Sequence, residues 1–158
     1  AKHFCVWGVE GNPHLTPSLL ALQQQLRTEG FNATLLTDTL AWHSEGKLDF
    51  RLDWRNPSSG LASSVMPDHP DVEHNASRFV SVRSLDLGLL LRSARDMVGD
   101  TGYVIVKMDI EGAEYPVLRQ LVGTRDVCSA VDYLLMEWHS MAAPDLPANV
   151  EENLQWML

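Results

Sequence analysis

Three carboxylates fall within one short stretch of this chain, Asp109, Glu111 and Glu114, with Gly112 between them. A fourth, Glu137, is followed two residues later by His139. Acids at a helix start can serve as caps, favoured by free N–H groups and the macrodipole. Three exceed what capping needs, and their mutual repulsion raises at least one pKa, a mark of ligand-binding and catalytic sites. Glu137 and His139, two apart on an extended chain, share one face. A carboxylate and an imidazole so placed form an acid–base pair, contribute to a metal site, or simply hydrogen-bond at a sheet edge. Glu10 is the remaining acid in a telling place. An acid ending a buried strand before a turn accepts both hydroxyls of a ribose in doubly wound nucleotide-binding sheets. His69 and His74, with Asp68, Asp71 and Glu73, match no closed ligand spacing, and a solvated loop is the better reading. No metal site is assigned.

The elements that must position these groups alternate. His3 to Glu10 reads as a short buried strand, and Gly11-Asn12-Pro13 turns the chain. Thr16 and Pro17 read as N-cap and first-turn residue of a helix carrying Leu15, Leu19, Leu22 and Leu26 and stopping near Gly30. Ala33 to Trp42 is the next strand, completing a right-handed βαβ unit. Lys47 to Trp54 is a strand returning beside it. Residues 55–76, rich in Pro, Ser, Gly, Asp and His, form a long loop of the kind that is usually functional. Arg78 to Arg83 is a short strand, and Ser84 caps a helix with Leu85, Leu89, Leu90 and Met97. Val104-Ile105-Val106, β-branched throughout, reads as a strand at 103–109 buried on both faces and delivering the acidic corner. A helix with Val117, Leu118, Leu121 and Val122 follows, then a strand at 131–138, and a helix begins at Val150. The class is α/β with a mainly parallel sheet, in a single domain over 1–158.

Composition narrows the partners. A net charge of −9, with Lys and Arg thinly scattered, argues against nucleic acid. No apolar run reaches the roughly 20 residues of a membrane helix, so a soluble protein is expected, its compartment unassigned. Cys5 and Cys128 sit in or beside apolar stretches and read as small buried residues. The sequons at Asn32 and Asn75 would matter only in a secretory setting. There is no GxGxxG, Walker loop, nucleophile elbow or CxxC pair, so hydrolase and NTPase readings have no local support.

Lys107-Met108-Asp109-Ile110-Glu111-Gly112-Ala113-Glu114-Tyr115, followed by Val117-Leu118, resembles the signature of FkbM-type methyltransferases, S-adenosylmethionine-dependent O-methyltransferases with a Rossmann-like sheet and flanking helices. The resemblance extends to Val6 to Pro13, to Leu40-Ala41 with Glu45 to Leu48, to Val82 to Leu87, and to Leu134 to His139. It implies S-adenosylmethionine held by Glu10, Asn12, Leu40, Ala41 and Asp109. Glu10 would take the ribose hydroxyls, Leu40-Ala41 would border adenine, and Asp109 would lie at the methionine end. Glu111, Glu114, Glu137 and His139 would face a small-molecule or sugar hydroxyl acceptor, with His139 as the base. The family's first strand and glycine-rich cofactor loop should precede Ala1. Their expected absence from residues 1–158 implies an open seam between strands 3–10 and 103–109, filled by an upstream segment or another chain. The alternative function is a non-catalytic, methyltransferase-like structural or interaction subunit. An NAD-type dinucleotide binder is a third reading that lacks the corner sequence in its favour.

Overall fold

The computed structural model describes residues 4–53, 63–67, 69 and 79–140. Strand β1 (Cys5–Val9), helix α1 (Thr16–Thr28) and strand β2 (Asn32–Leu36) form the first βαβ unit, with β1 and β2 parallel from Cys5↔Asn32 to Val9↔Leu36. Strand β3 (Thr39–Trp42) runs parallel to β5 (Phe79–Asp86), while β4 (Gly46–Arg51) pairs antiparallel with the other edge of β5. Helix α2 (Leu87–Val98) leads to β6 (Ile105–Met108), then α3 (Glu114–Gly123), α4 (Asp126–Ala130) and β7 (Tyr133–Met136). Strands β6 and β7 are parallel, Ile105 opposite Tyr133 and Met108 opposite Met136.

The α/β class and the first βαβ unit stand as read, and several boundaries change. The expected strand 33–42 is two strands, because Asp38 takes a left-handed φ of 48° that no continuous strand tolerates. Its second half leaves β2 for a different partner, and β4 lies beside β5 rather than beside β3. The cap of α1 moves as well. Pro13–Leu15 form a 3-10 turn capped by the Asn12 side chain, Thr16 is already helical, and its hydroxyl bonds Asp38 Oδ1 at 3.0 Å. Asp86, not Ser84, caps α2 by accepting from the Leu89 N–H at 3.1 Å. Cys5 and Cys128 are exposed rather than buried. The sequon at Asn75, the strand end at Trp54, most of 55–76 and the helix from Val150 lie outside the described residues.

The main core joins α2, α3 and α4 to the inner faces of β6 and β7, with Leu91, Met108, Tyr115, Val117, Leu118, Leu121 and Val127 buried together. Strand β6 is buried on one face only. Ile105 is 62% exposed and Lys107 points the same way, opposite exposed Tyr133 and Leu135. Among the described residues β1 pairs only with β2 and β6 only with β7. A groove of about 450 Å³ lies between β1 and β6, lined by Trp7 and Gly8 from one strand and Ile105 and Lys107 from the other. No helix among the described residues is long and apolar enough to cross a membrane.

Candidate active site

The carboxyl ends of β1, β6 and β7 converge with the start of β3 on one cavity of about 390 Å³. Open parallel sheets bind ligands in this place, beyond the strand ends. One side is built by Glu10, Gly11, Leu40, Ala41 and Phe50, and the other by Asp109, Glu111 and Glu137. Glu10 follows β1 directly, and its Oε1 accepts the Asn12 N–H at 2.7 Å, which fixes the carboxylate. Gly11 is glycine for a steric reason: a Cβ there would lie 2.2 Å from Leu40 Cδ2. Asn12 is buried behind the cavity, where its Oδ1 accepts the His14 N–H at 3.0 Å. It is not among the lining residues, so its place is in the turn that sets Glu10.

The acidic corner is held by its own third member. Glu114, the first residue of α3, is 0% exposed. Its Oε1 accepts the Ile110 N–H at 2.9 Å and its Oε2 the Gly112 N–H at 2.8 Å, so one carboxylate closes the turn between strand and helix. Glu111 sits in that turn with a left-handed φ of 52°, followed by Gly112 at 92°. A left-handed non-glycine residue is strained and persists when its surroundings hold it. Here the Ser64 hydroxyl donates to the Glu111 carbonyl at 2.5 Å, and the His69 Nε2 lies 3.0 Å from Glu111 Oε2. Glu114, expected to face an acceptor, is instead fully buried beneath Glu111 and His139.

His139 follows β7 and is oriented by the same buried acid, its Nδ1 2.9 Å from Glu114 Oε1. Its Nε2 lies 3.6 Å from Glu111 Oε2 and 3.9 Å from Asp109 Oδ1. Trp138 stacks on Tyr115 of α3, ring centroids 5.6 Å apart, and ties this strand end to the helix. Burial opposes the charge on His139, but the Glu114 hydrogen bond and the charges of Glu114, Glu111 and Asp109 hold its pKa above the ordinary histidine value. Asp109 is held below the usual carboxylate range, first by its hydrogen bond from Lys107 Nζ at 2.8 Å and against the effect of burial. Lys107 Nζ also stands 4.0 Å from Glu137 Oε2.

Of the residues singled out from sequence, Glu10, Leu40, Ala41, Asp109, Glu111 and Glu137 line one cavity. His139 joins through Glu111 and Asp109, and Glu114 lies beneath. Sequence reasoning missed Ser64 and set His69 aside in a solvated loop; both pack on Glu111, and His69 is only 4% exposed. Nothing in their spacing announces this, because the contact spans 42 residues of sequence. His74, Asp71, Glu73 and Asp68 lie outside the described residues.

No curated protein and no solved structure matches the chain significantly. The family signature described as Methyltransferase FkbM domain matches residues 2–157, nearly the whole length. With its acidic corner at the carboxyl ends of a parallel α/β sheet, the chain belongs to the FkbM methyltransferase family.

Proposed function

We propose that the protein is an S-adenosylmethionine-dependent O-methyltransferase whose acceptor is a hydroxyl of a small molecule or sugar. The observation that carries this reading is the shared cavity, with Glu10, Leu40 and Ala41 on one side and Asp109, Glu111 and Glu137 on the other. Its residues fit the cofactor. A fixed carboxylate at the end of β1 suits a ribose diol, Leu40, Ala41 and Phe50 offer an apolar border for adenine, and Asp109 suits a cationic methionine end. A cavity of this size falls in the range of small-molecule sites. The cofactor, when bound, supplies an electrophilic methyl group on a sulfonium. The chain's own contribution is to place the acceptor hydroxyl in line with that methyl, and such positioning alone is worth about 7–11 kcal/mol of barrier in favourable cases. The hydroxyl proton passes to the cluster formed by Glu111 and His139, where Glu114 holds the imidazole in place.

The same reading has the sheet completed between β1 and β6 by a further strand, from sequence outside residues 1–158 or from another chain. Its support is the groove between β1 and β6, whose facing edges have no strand partner among the described residues, and the uncovered Ile105 and Tyr103 beside it. Calorimetric titration with S-adenosylhomocysteine, on this chain and on a version extended upstream, tests both points. The expected result is binding that Glu10→Gln weakens, and that the extension strengthens. No binding by either version would overturn the methyltransferase reading in favour of a structural subunit.

A further inference from the structure

The side chains at the ends of β6 and β7 carry more order than proton transfer requires. Asp109, Glu137 and His139 each offer one ligand atom, and these atoms lie within 4.8 Å of one another. The grouping follows from topology. Strands β6 and β7 are parallel neighbours, and the Glu137 N–H donates to the Met108 carbonyl at 3.0 Å, which sets Glu137 beside Asp109. His139, two residues on, is turned back onto the pair by Glu114.

Glu114 also decides what His139 presents. A buried carboxylate that already accepts the Ile110 and Gly112 N–H groups accepts from Nδ1 as well, so the Nδ1 proton points at Glu114. That leaves Nε2 facing Asp109 and Glu111, at 3.9 and 3.6 Å. An imidazole lone pair directed at two carboxylates is repelled, so Nε2 facing them carries either its own proton or a bound metal cation. A carboxylate hydrogen-bonded to the far nitrogen of an imidazole is also how metal-ligating histidines are fixed in tautomer and orientation. Glu114, fully buried and hydrogen-bonded to Nδ1, stands where such a carboxylate would.

We propose that Asp109, Glu137 and His139 Nε2 bind a divalent cation of mixed nitrogen and oxygen preference, with Mn²⁺ as its probe. Two carboxylates and one imidazole are a donor set between the all-oxygen sites of Mg²⁺ and the nitrogen-rich sites of Zn²⁺. Three protein ligands leave coordination positions open, and Asp109 and Glu137 both line the cavity, so the open positions face it. The role of the cation, though not its binding, rests on the methyltransferase reading. There it would receive the acceptor hydroxyl and ease loss of its proton to Glu111, while His139 serves as ligand rather than as base.

The test is titration of the folded chain with MnCl₂ alone, followed calorimetrically and by pulsed electron paramagnetic resonance. One equivalent of Mn²⁺ is expected, with coupling to one directly bound imidazole nitrogen that His139→Gln abolishes. Asp109→Asn and Glu137→Gln, at exposed positions that the fold tolerates, should weaken binding by at least tenfold. Glu114→Gln should weaken it by about 10–100-fold, as loss of an outer-shell partner does. Binding unchanged in an Asp109→Asn/Glu137→Gln double variant, or Mn²⁺ bound without nitrogen coupling, would overturn the proposal and leave a proton as the cation between these groups. S-adenosylhomocysteine added to the same samples separates the two readings: Mn²⁺ bound with nitrogen coupling in a chain that ignores the nucleoside supports the metal site and contradicts the cofactor assignment alone.

Discussion

The two halves of the chain are built to different standards. In the C-terminal half, α3 buries Tyr115, Val117, Leu118 and Leu121, and α2, α4, β6 and β7 close around them. In the N-terminal βαβ unit, α1 buries no residue at all, and Leu20 and Leu22 are exposed. Helix α1 is nonetheless regular, and its contacts go mainly to β2. Such a helix is held by local propensity and one partner, whereas α3 is held by a core. The candidate site lies on the boundary, with Glu10 contributed by the thinly packed half and Asp109, Glu111 and Glu137 by the densely packed one. A ligand in that cavity therefore bridges regions of unequal stability, and its binding should be felt most on the weaker side.

The comparison can be broken most readily at α3. Leu118→Ala should cost roughly 2–5 kcal/mol of unfolding free energy, read by urea denaturation, because a fully buried side chain leaves a cavity. Leu22→Ala on α1 should stay within about 0.5 kcal/mol. A comparable loss at both positions would remove the distinction. Glu114→Gln comes next, at about 1–3 kcal/mol, since an amide cannot satisfy the Ile110 and Gly112 N–H groups and His139 together. The same variant should broaden the resonances of residues 110–113 while leaving α1 unchanged.

A smaller effect sharpens the comparison through pH. Asp126, in α4, is buried, which opposes its charge, yet hydrogen bonds from Arg92 at 2.5 Å and from Thr124 at 2.6 Å hold its pKa below the usual carboxylate value. A lowered folded-state pKa contributes stability above the unfolded value of about 3.9, and that contribution is lost as pH falls through the folded value. The acid limb of thermal melts should thus be steeper in the native chain than in Asp126→Asn. Identical acid limbs would show that the α2–α4 tie contributes nothing.

How legible all this was from sequence differs by feature. The βαβ opening, the acidic corner and the strand after it were readable, because β-branched runs, helical leucine spacing and a glycine among acids are local signals. The bend at Asp38 was not, since Ala33 to Trp42 reads as one strand and only a left-handed backbone at Asp38 divides it. Val104-Ile105-Val106 reads as buried on both faces, yet Ile105 is exposed, as are Tyr133 and Leu135 on the neighbouring strand. Hydrophobicity records what a residue would rather touch, and only coordinates record what touches it. The corner was found as three equivalent acids, and the structure divides them. Glu114 is a buried scaffold, Glu111 is pinned by Ser64 and His69, and Asp109 is paired with Lys107. The long-range partners, Ser64 and His69, leave no periodic trace.

The most direct test of the account is hydrogen exchange with and without S-adenosylhomocysteine. The account predicts slower exchange on both sides of the cavity at once, at residues 9–12 and 39–41 in the weaker half and at 109–113 in the stronger, with the larger change in the former. Exchange that is unchanged, or slowed only away from these segments, would contradict the assignment of the cavity to a methyltransferase cofactor.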